Sequence, residues 1–422
     1  MTSTATSSGL IGDAVRERFP ILGRRGFPVY LDNAATTQKP REVLDSLVGY
    51  YETVNSNVGR GYYGLAMAST EQYEQAREVV RRFLGAEEAD EIVFTASTTA
   101  ATNLLADTLG RATVGPGDQV VVTGLEHNSN LLPWRRLCDD TGAELVVAPV
   151  GADGRVEPSA FAAVLGPRVR IVAIGHVSNV LGTVNPVREL AALAHRHGAR
   201  VVVDGAQAVA HRPVDVRELG ADFYTFSAHK VYGPMGTGVL YGRRELLEQL
   251  GPYQVGGGTV KGVRHDSPVQ YVPVPARLEA GTPNVAGAAG LAAALEFVAG
   301  LGWDSVRAHD EALVGQAVAE LAAIPGVRIV GDPGAEPSGI VSLAVDGIHP
   351  YDVGGHLDRR GIAVRCGVHC ASTLLDDLGL LGTVRLSFAV YTTEAELDAV
   401  RRALAEVEPG EWTASHPDTR FL

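Results

Sequence analysis

An acidic residue and a lysine each follow an apolar stretch within residues 201–242. Three valines at 201–203 run straight into Asp204, and the β-like run 223–226 leads to Lys230. The carboxyl ends of buried strands border the crevice in which α/β sheets bind ligands, so the two side chains can meet there. Pyridoxal phosphate (PLP) needs a lysine for a Schiff base and an acid that keeps its pyridine nitrogen protonated. The flanking glycines and strands favour this site over a surface lysine and a helix-capping aspartate.

Hydroxyl groups near the same strands could hold the cofactor phosphate. Ser227 and His229 come directly before Lys230, and Thr98 and Thr99 follow an apolar strand at the start of a predicted helix. Free backbone N–H groups at a helix N-terminus bind anions, and hydroxyls beside them add donors. Plain helix capping is the alternative interpretation for the two threonines.

Two further strands deliver polar side chains at their carboxyl ends. His127 follows the strand 119–122, where an imidazole can stack on an aromatic cofactor and move protons. Asn179 follows the strand 170–174 and could donate to the phenolic oxygen of the cofactor or to a substrate carboxylate. A structural histidine and a turn asparagine are the alternatives.

Strands and helices alternate from residue 91 to residue 242, which predicts a mostly parallel sheet with right-handed crossovers. Before this region we expect a helix over 69–84 that Ser69 or Thr70 caps. The other predicted elements are a helix at 10–19, a strand at 29–31, helices at 41–54, 186–198, 285–300, 304–323 and 350–360, and strands near 327–330, 340–345 and 361–365. We predict a tail and helix at 1–27 that pack on the small domain, a large domain at 28–284 and a small domain at 285–422.

The composition excludes several classes of protein. The 422 residues carry 36 basic and 49 acidic side chains, a net charge of −13, with no basic block to bind nucleic acid or an anionic membrane. No apolar run reaches the roughly 18 residues of a membrane helix. The three cysteines indicate a reducing compartment, and the first nine residues do not have the pattern of a signal peptide. We therefore predict a cytoplasmic protein with loose ends at 1–9 and 412–422.

Three motifs occur in the order typical of one known family: D-G-A-Q-A, S-x-H-K-x-Y-G-P and R-x-G-x-H-C-A. The chain resembles the class V aminotransferases over roughly residues 28–405, and most closely the SUF-type cysteine desulfurases. The resemblance implies PLP-dependent fold type I, the aspartate aminotransferase-like α/β fold. Such a fold has a large, mostly parallel-sheet domain and a smaller C-terminal α+β domain.

The resemblance also implies roles for single residues. Cys370 corresponds to the nucleophile that attacks the substrate sulfur, and Arg385 to the partner of the substrate α-carboxylate. Arg365 joins the substrate-binding set and supports the cysteine loop, while Asn33, Ala34 and Ala35 line the substrate pocket. Thr282 reaches the phosphate of the neighbouring subunit in a homodimer. The implied cofactor-binding residues are Lys230, Asp204, Gln207, His127, Thr98, Thr99, Ser227, His229, Asn179 and Thr282.

Without the resemblance, Cys370 has two other interpretations. Cys366, His369 and Cys370 could bind a metal, but three soft ligands do not complete a tetrahedral site, so we predict none. Cys370 could also be a small buried apolar residue, which is the common fate of a free cysteine. Cys138 lies in a predicted amphipathic helix and is interpreted as a packing residue. The resemblance implies that Cys366 is not essential, because relatives commonly have another residue at that position.

The resulting hypothesis is a desulfurase that converts L-cysteine to L-alanine and passes sulfur through a persulfide on Cys370 to an acceptor protein, in iron–sulfur cluster assembly or other sulfur biosynthesis. The sequence departs from the family pattern at Gly59, Thr259, Ser372-Thr373 and Thr392. A related activity is therefore an alternative: a selenocysteine lyase, another C–S lyase, an epimerase or a cyclase. A non-catalytic sulfur-assembly scaffold is a further alternative, and the presence of Lys230, Asp204 and Cys370 argues against it.

Overall fold

The computed structural model describes residues 11–59, 61–151 and 153–410. The largest sheet of the protein has seven strands. In spatial order these strands are Ile92–Thr95, Gly238–Gly242, Phe223–Ser227, Arg200–Asp204, Val169–Gly175, Gln119–Thr123 and Glu144–Ala148. Gly238–Gly242 runs antiparallel to both of its neighbours, and the other adjacent strands are parallel. The predicted mostly parallel sheet is confirmed.

The central strands are apolar on both faces. Residues 120–122, 171–174 and 201–203 are entirely buried, because helices cover both sides of the sheet. Continuous runs of valine and isoleucine are typical of parallel strands packed in this way. Each of these strands therefore ends in a rigid position from which the next residues project.

The described helices are Ile11–Arg16, Arg41–Thr53, Gly64–Leu84, Thr98–Leu105 with the π-helical turn Ala106–Gly110, Arg111–Thr113, Asn128–Thr141, Pro158–Ala163, Val187–Arg196, Arg244–Leu247, Val285–Gly300, Trp303–Leu321, Pro350–Asp358, Ser372–Asp377 and Glu394–Leu404. The helices predicted at 41–54, 186–198, 285–300, 304–323 and 350–360 agree with the structure to within about two residues. Short 3-10 turns lie at Ala89–Glu91, Ala228–Lys230 and Ala276–Leu278.

One predicted helix start is wrong. The helix expected to begin at Ser69 or Thr70 begins at Gly64. The Ser69 hydroxyl lies inside the helix and donates to the Ser56 carbonyl oxygen at 2.8 Å, so it ties the preceding loop to the helix instead of capping it. Arg81 and Arg82 occupy the last turn of this helix.

A four-stranded sheet forms the C-terminal part, in the order Val327–Val330, Ile340–Val345, Thr383–Ser387 and Arg365–Gly367. The single strand predicted at 361–365 is divided in two. Ile362–Ala363 pairs with Val29–Tyr30, whereas Arg365–Gly367 pairs with Thr383–Ser387. A two-stranded hairpin, Val260–Gly262 with Gln270–Tyr271, lies in the glycine-rich stretch after the lysine.

The segment after Val29–Tyr30 packs against the C-terminal sheet. Leu31 packs in the same apolar core as the C-terminal sheet, and Asp32 forms a parallel bridge with Ser387. Residues predicted to open the large domain thus pair with the C-terminal part, and the domain boundaries themselves stay a prediction.

The loose ends predicted at 1–9 and 412–422 lie outside the described residues, as does Arg60. Within the described ranges, no single helix is long and apolar enough to cross a membrane; only Val285–Gly300 and Trp303–Leu321 together meet that criterion, with a 77° bend between them.

Candidate active site

One cleft of about 330 Å³ collects polar side chains from the carboxyl ends of the large sheet and from the C-terminal sheet. This volume is typical of a small-molecule site, and the position is the one at which α/β sheets bind ligands. Most of the residues predicted for the site line this cleft, namely Ala34, Ala35, Thr98, Thr99, His127, Asn179, Asp204, Gln207, Ser227, His229, Lys230, Arg365, Cys370 and Arg385. Ser97, Ser129, Ala206 and His369 also line it and were not predicted.

Asp204 is the last residue of one strand and Lys230 follows the neighbouring parallel strand, and the two side chains interact electrostatically. Burial lowers the pKa of Lys230 to about 8, although Asp204 opposes this shift. Burial raises the pKa of Asp204, against the attraction of Lys230 and a 2.9 Å hydrogen bond from the Ala206 N–H. Lys230 therefore gives up its proton more readily than a free lysine, and the attraction between the two side chains favours the ionised form of Asp204.

The helix Thr98–Leu105 points its N-terminus into the cleft. Ser97 caps it by accepting from the Ala100 N–H at 3.2 Å, and the Thr98 N–H donates to the Ser227 hydroxyl at 2.8 Å. Thr99 and Ser129 share a 2.7 Å hydroxyl–hydroxyl hydrogen bond. This ring of hydroxyls around a helix N-terminus is suited to a phosphate group.

His127 caps the next helix and faces the cleft. Its Nδ1 accepts from the Ser129 N–H at 3.0 Å, which fixes the ring. Burial and the charges of Lys230 and Arg385 lower its pKa to about 4. The imidazole is therefore neutral at physiological pH and has Nε2 available for proton exchange.

The preceding residue, Glu126, is buried and was not predicted. It accepts from the Asn130 side chain at 2.6 Å and from the Gly175 N–H at 2.7 Å, and burial raises its pKa to about 7. It ties the turn that carries His127 to the neighbouring strand. The only sign of Glu126 in the sequence is its position directly before His127.

Cys370 is exposed on a loop that turns through an unusual backbone conformation. His369 and Cys370 have φ angles of 53° and 56°, in the left-handed region that few non-glycine residues adopt. The Asn128 N–H donates to the Cys370 carbonyl oxygen at 2.8 Å, and the Asn179 side chain donates to the His369 carbonyl oxygen at 2.8 Å. Hydrogen bonds from Asn128 and Asn179 thus hold the main chain of the cysteine loop at the cleft.

Two arginines enter the cleft from the C-terminal sheet. Arg385 is buried and donates through Nη1 to the Asn179 carbonyl oxygen at 2.8 Å. Arg365 is partly exposed and binds the Asp32 carboxylate with two nitrogens, at 3.0 and 2.8 Å. Both arginines interact electrostatically with Cys370.

The side chains fit the cofactor that the sequence predicts. Among the described residues, Asn179 Oδ1, His229 Nδ1 and Arg385 Nε are buried without a hydrogen-bond partner. Buried polar atoms are rarely left unsatisfied, so these three atoms indicate that a polar ligand belongs in the cleft. An amine, an acid and a hydroxyl ring meet the chemical needs of PLP.

Two predicted site residues lie outside the cleft. Asn33 is buried beneath it, where its amide donates to the Ser387 carbonyl oxygen at 2.6 Å. Thr282 is exposed and borders a separate pocket with Glu279 and Tyr73. The predicted role of Thr282 depends on a second subunit, so this placement in one chain leaves that role a prediction.

Comparison with known proteins identifies relatives over nearly the whole chain. A family model described as aminotransferase class-V matches residues 29–400. The chain is 46% identical over 400 residues to a "Probable cysteine desulfurase" of Mycolicibacterium paratuberculosis, covering 94% of this chain but 58% of that protein. It is 43% identical to a protein of the same name from Halalkalibacterium halodurans, covering 93% of this chain and 97% of that one.

A solved structure has the same architecture. The apo structure of a cysteine desulfurase from Thermococcus onnurineus superposes with a TM-score of 0.89 at 37% identity, covering 95% of this chain and 99% of that chain. The predicted aspartate aminotransferase-like fold is confirmed.

Proposed function

The chain belongs to the class-V aminotransferase family, and from this premise we propose that it is a PLP-dependent cysteine desulfurase. The substrate is L-cysteine, the product is L-alanine, and the sulfur passes to Cys370. The convergence of Lys230 and Cys370 on one cleft, from segments 140 residues apart (370 − 230), carries the proposal.

The cofactor would be held by Lys230, Asp204 and the hydroxyl ring of Thr98, Thr99 and Ser227. When bound, PLP withdraws electrons from the substrate Cα and so acidifies its proton. Lys230 Nζ, with a pKa lowered to about 8, is near the value at which an amine acts as a general base at neutral pH. The neutral His127 ring can hold a proton at Nε2 and assist this transfer.

Arg385 orients the substrate by pairing with its α-carboxylate. Nη1 is engaged by the Asn179 carbonyl oxygen, whereas Nε has no hydrogen-bond partner among the described residues. A carboxylate therefore approaches the Nε edge of the guanidinium, where a planar donor pair favours bidentate binding.

The sulfur transfer balances without an added oxidant or reductant. The Cys370 sulfur forms a bond to the substrate sulfur as the bond between that sulfur and the substrate Cβ breaks. The electron pair of the broken bond stays with the carbon, which takes up a proton to give alanine. L-Cysteine and the Cys370 thiol thus become L-alanine and the Cys370 persulfide.

We further propose a homodimer and a sulfur-acceptor protein in the cytoplasm. Thr282 is exposed, as are several large apolar side chains that a second subunit could cover, namely Tyr51, Met67, Met235 and Val255. Cys370 is exposed as well, so a persulfide there is accessible to a partner protein.

The decisive test measures alanine and sulfide released from L-cysteine with a thiol reductant. The wild type should give equal amounts of both, and Cys370→Ala should lose them while keeping the visible absorption of the bound cofactor. Cys366→Ala is the matched control, because Cys366 packs against the core of the C-terminal sheet. An active Cys370→Ala variant would overturn the role of Cys370, and a cofactor-loaded wild type without product would overturn the substrate.

A further inference from the structure

Thr37 contacts the main chain on both sides of Lys230. It is 4% exposed and does not itself line the cleft. Its hydroxyl donates to the His229 carbonyl oxygen at 3.2 Å and accepts from the Tyr232 N–H at 2.8 Å. The Thr37 N–H donates to the same carbonyl oxygen at 3.0 Å. One buried threonine therefore brackets the lysine, with contacts to the residue before it and to the second residue after it.

Tyr232 has a backbone conformation that needs such support. Its φ angle is 65°, in the left-handed region that is costly for a bulky aromatic residue. Its side chain is buried, and its hydroxyl accepts from the Val390 N–H at 3.2 Å. A strained residue keeps its conformation only when its surroundings hold it, and here the Thr37 hydroxyl binds the N–H of that residue.

The two contacts of the Thr37 hydroxyl differ in how easily they can be replaced. The His229 carbonyl oxygen also accepts from Thr36 Oγ1 at 3.1 Å and from Lys39 Nζ at 3.2 Å. It therefore keeps other donors when any one of them is removed. The Tyr232 N–H is buried, and a buried N–H that loses its acceptor is costly. Loss of the hydroxyl should thus act mainly on the turn that follows the lysine.

The segment that carries Thr37 is itself fixed at the cleft. Ala34 lines the cleft, and its carbonyl oxygen accepts from the Gln207 side chain at 2.9 Å. On the other side of Thr37, the Gln38 N–H donates to the Tyr391 hydroxyl at 2.9 Å. Thr37 therefore holds the turn against a support that is fixed both before and after it.

We propose that Thr37 is a positioning residue that holds the turn carrying Lys230 so that the amine meets the cofactor aldehyde. The inference rests on one part of the proposed function, the attachment of PLP to Lys230. In that step the amine nitrogen and the aldehyde carbon form a double bond, and one water molecule is released. Without the Thr37 hydroxyl the turn relaxes, and attachment must restore a strained conformation in which a buried N–H has no acceptor. The penalty falls on the covalent bond and not on the binding of the phosphate.

The test compares two forms of the cofactor. PLP can bond to Lys230, whereas pyridoxamine phosphate has an amine in place of the aldehyde and cannot. Thr37→Val keeps the shape of the side chain without its hydroxyl. In this variant, calorimetry on the full-length, cofactor-free protein should show a Kd for PLP about tenfold higher, which corresponds to about 1.4 kcal/mol and is within the range for an unpaired buried donor. The Kd for pyridoxamine phosphate should not change. An equal rise for both forms, or no rise for PLP in a folded variant, would overturn the proposal.

Two further variants separate positioning from general stability. Thr37→Ser retains the hydroxyl and should restore the wild-type Kd for PLP. Thr392→Val is the matched control, because Thr392 is also buried and its hydroxyl accepts from the Ala389 N–H at 3.0 Å. It should lower the thermal stability by a similar amount and leave both Kd values unchanged. An equal effect of Thr392→Val on PLP binding would overturn the proposal. If Thr37→Val does not fold, Thr37→Ala should weaken PLP binding selectively, and equal weakening of both forms would again overturn it.

The two Kd values also separate this inference from the proposed function. A wild type that makes no alanine from L-cysteine, but in which Thr37→Val weakens the binding of PLP alone, would overturn desulfuration and support the positioning role. A wild type that makes alanine, with a Kd for PLP that is insensitive to Thr37→Val, would do the reverse.

Discussion

The lysine side and the cysteine side of the cleft are built differently. On the lysine side, Lys230 and Asp204 follow adjacent strands of a buried seven-stranded sheet, so their positions are set by the core. On the cysteine side, the exposed Cys370 lies on a loop with two left-handed residues, held by single hydrogen bonds from Asn128 and Asn179. Residues that must stay in place are carried by the sheet. The residue that we propose delivers sulfur to a partner is carried by a loop.

This difference makes the two sides separable by mutation. Changes on the lysine side should abolish cofactor attachment and all chemistry, whereas changes on the cysteine side should leave the cofactor bound and impair only sulfur transfer. Each of the following predictions tests that separation.

The largest effect is expected from Lys230→Ala. Loss of the amine removes both covalent attachment and the proton acceptor, so alanine formation should fall by at least about 10³-fold. The measurement is turnover together with borohydride reduction, which fixes the cofactor covalently only where the lysine is present. Lys39→Met is the matched control, because Lys39 is also a partly buried lysine with a pKa lowered to about 8 but does not line the cleft. Equal loss of attachment in both variants would contradict the assignment.

A pH effect of about tenfold per unit is expected for the uptake of PLP by the cofactor-free protein. Only the neutral amine reacts, and burial lowers the pKa of Lys230 to about 8, so uptake should rise with pH up to about 8 and then level off. Stopped-flow absorbance between pH 6 and pH 9.5 measures the midpoint. Asp204 stabilises the protonated amine, so Asp204→Asn should move the midpoint to lower pH. Uptake that still rises steeply above pH 9 would contradict the shifted pKa.

The smallest effect is expected from Thr383→Val on the cysteine side. The Thr383 hydroxyl is hydrogen-bonded to His369 Nε2 at 2.8 Å, and losing that bond costs about 1 kcal/mol, or about fivefold. Persulfide formation should slow by that factor while the cofactor absorption is unchanged. Thr383→Ser retains the hydroxyl and should behave as the wild type. If Thr383→Val weakened cofactor binding as much as sulfur transfer, the two sides would not be separable.

The lysine side could be predicted from the sequence because its signals are local. Three valines before Asp204 and a strand before Lys230 place both residues at the same edge of a sheet without knowledge of distant contacts. The mostly parallel sheet followed from the strand–helix alternation, whereas the fold type was implied by the family resemblance.

The geometry of the cysteine side depends on pairings between segments far apart in the chain, so it could not be predicted from local sequence patterns. No periodicity shows that Val29–Tyr30 pairs with Ile362–Ala363, or that Asp32 bridges two arginines more than 300 residues later. Cys370 and Arg385 were found through family motifs and not through spacing. The error at Ser69 has a similar cause, since its hydroxyl serves the Ser56 carbonyl oxygen in the adjoining loop.

The hydrogen bond from Asn128 to Cys370 joins two main-chain atoms. Any residue except proline at position 128 retains this donor, so that position can change in evolution while the loop keeps its hydrogen bond. The same tolerance makes position 128 a suitable attachment point for a fluorescent or spin label. Such a label would report how the loop moves when it carries sulfur to an acceptor.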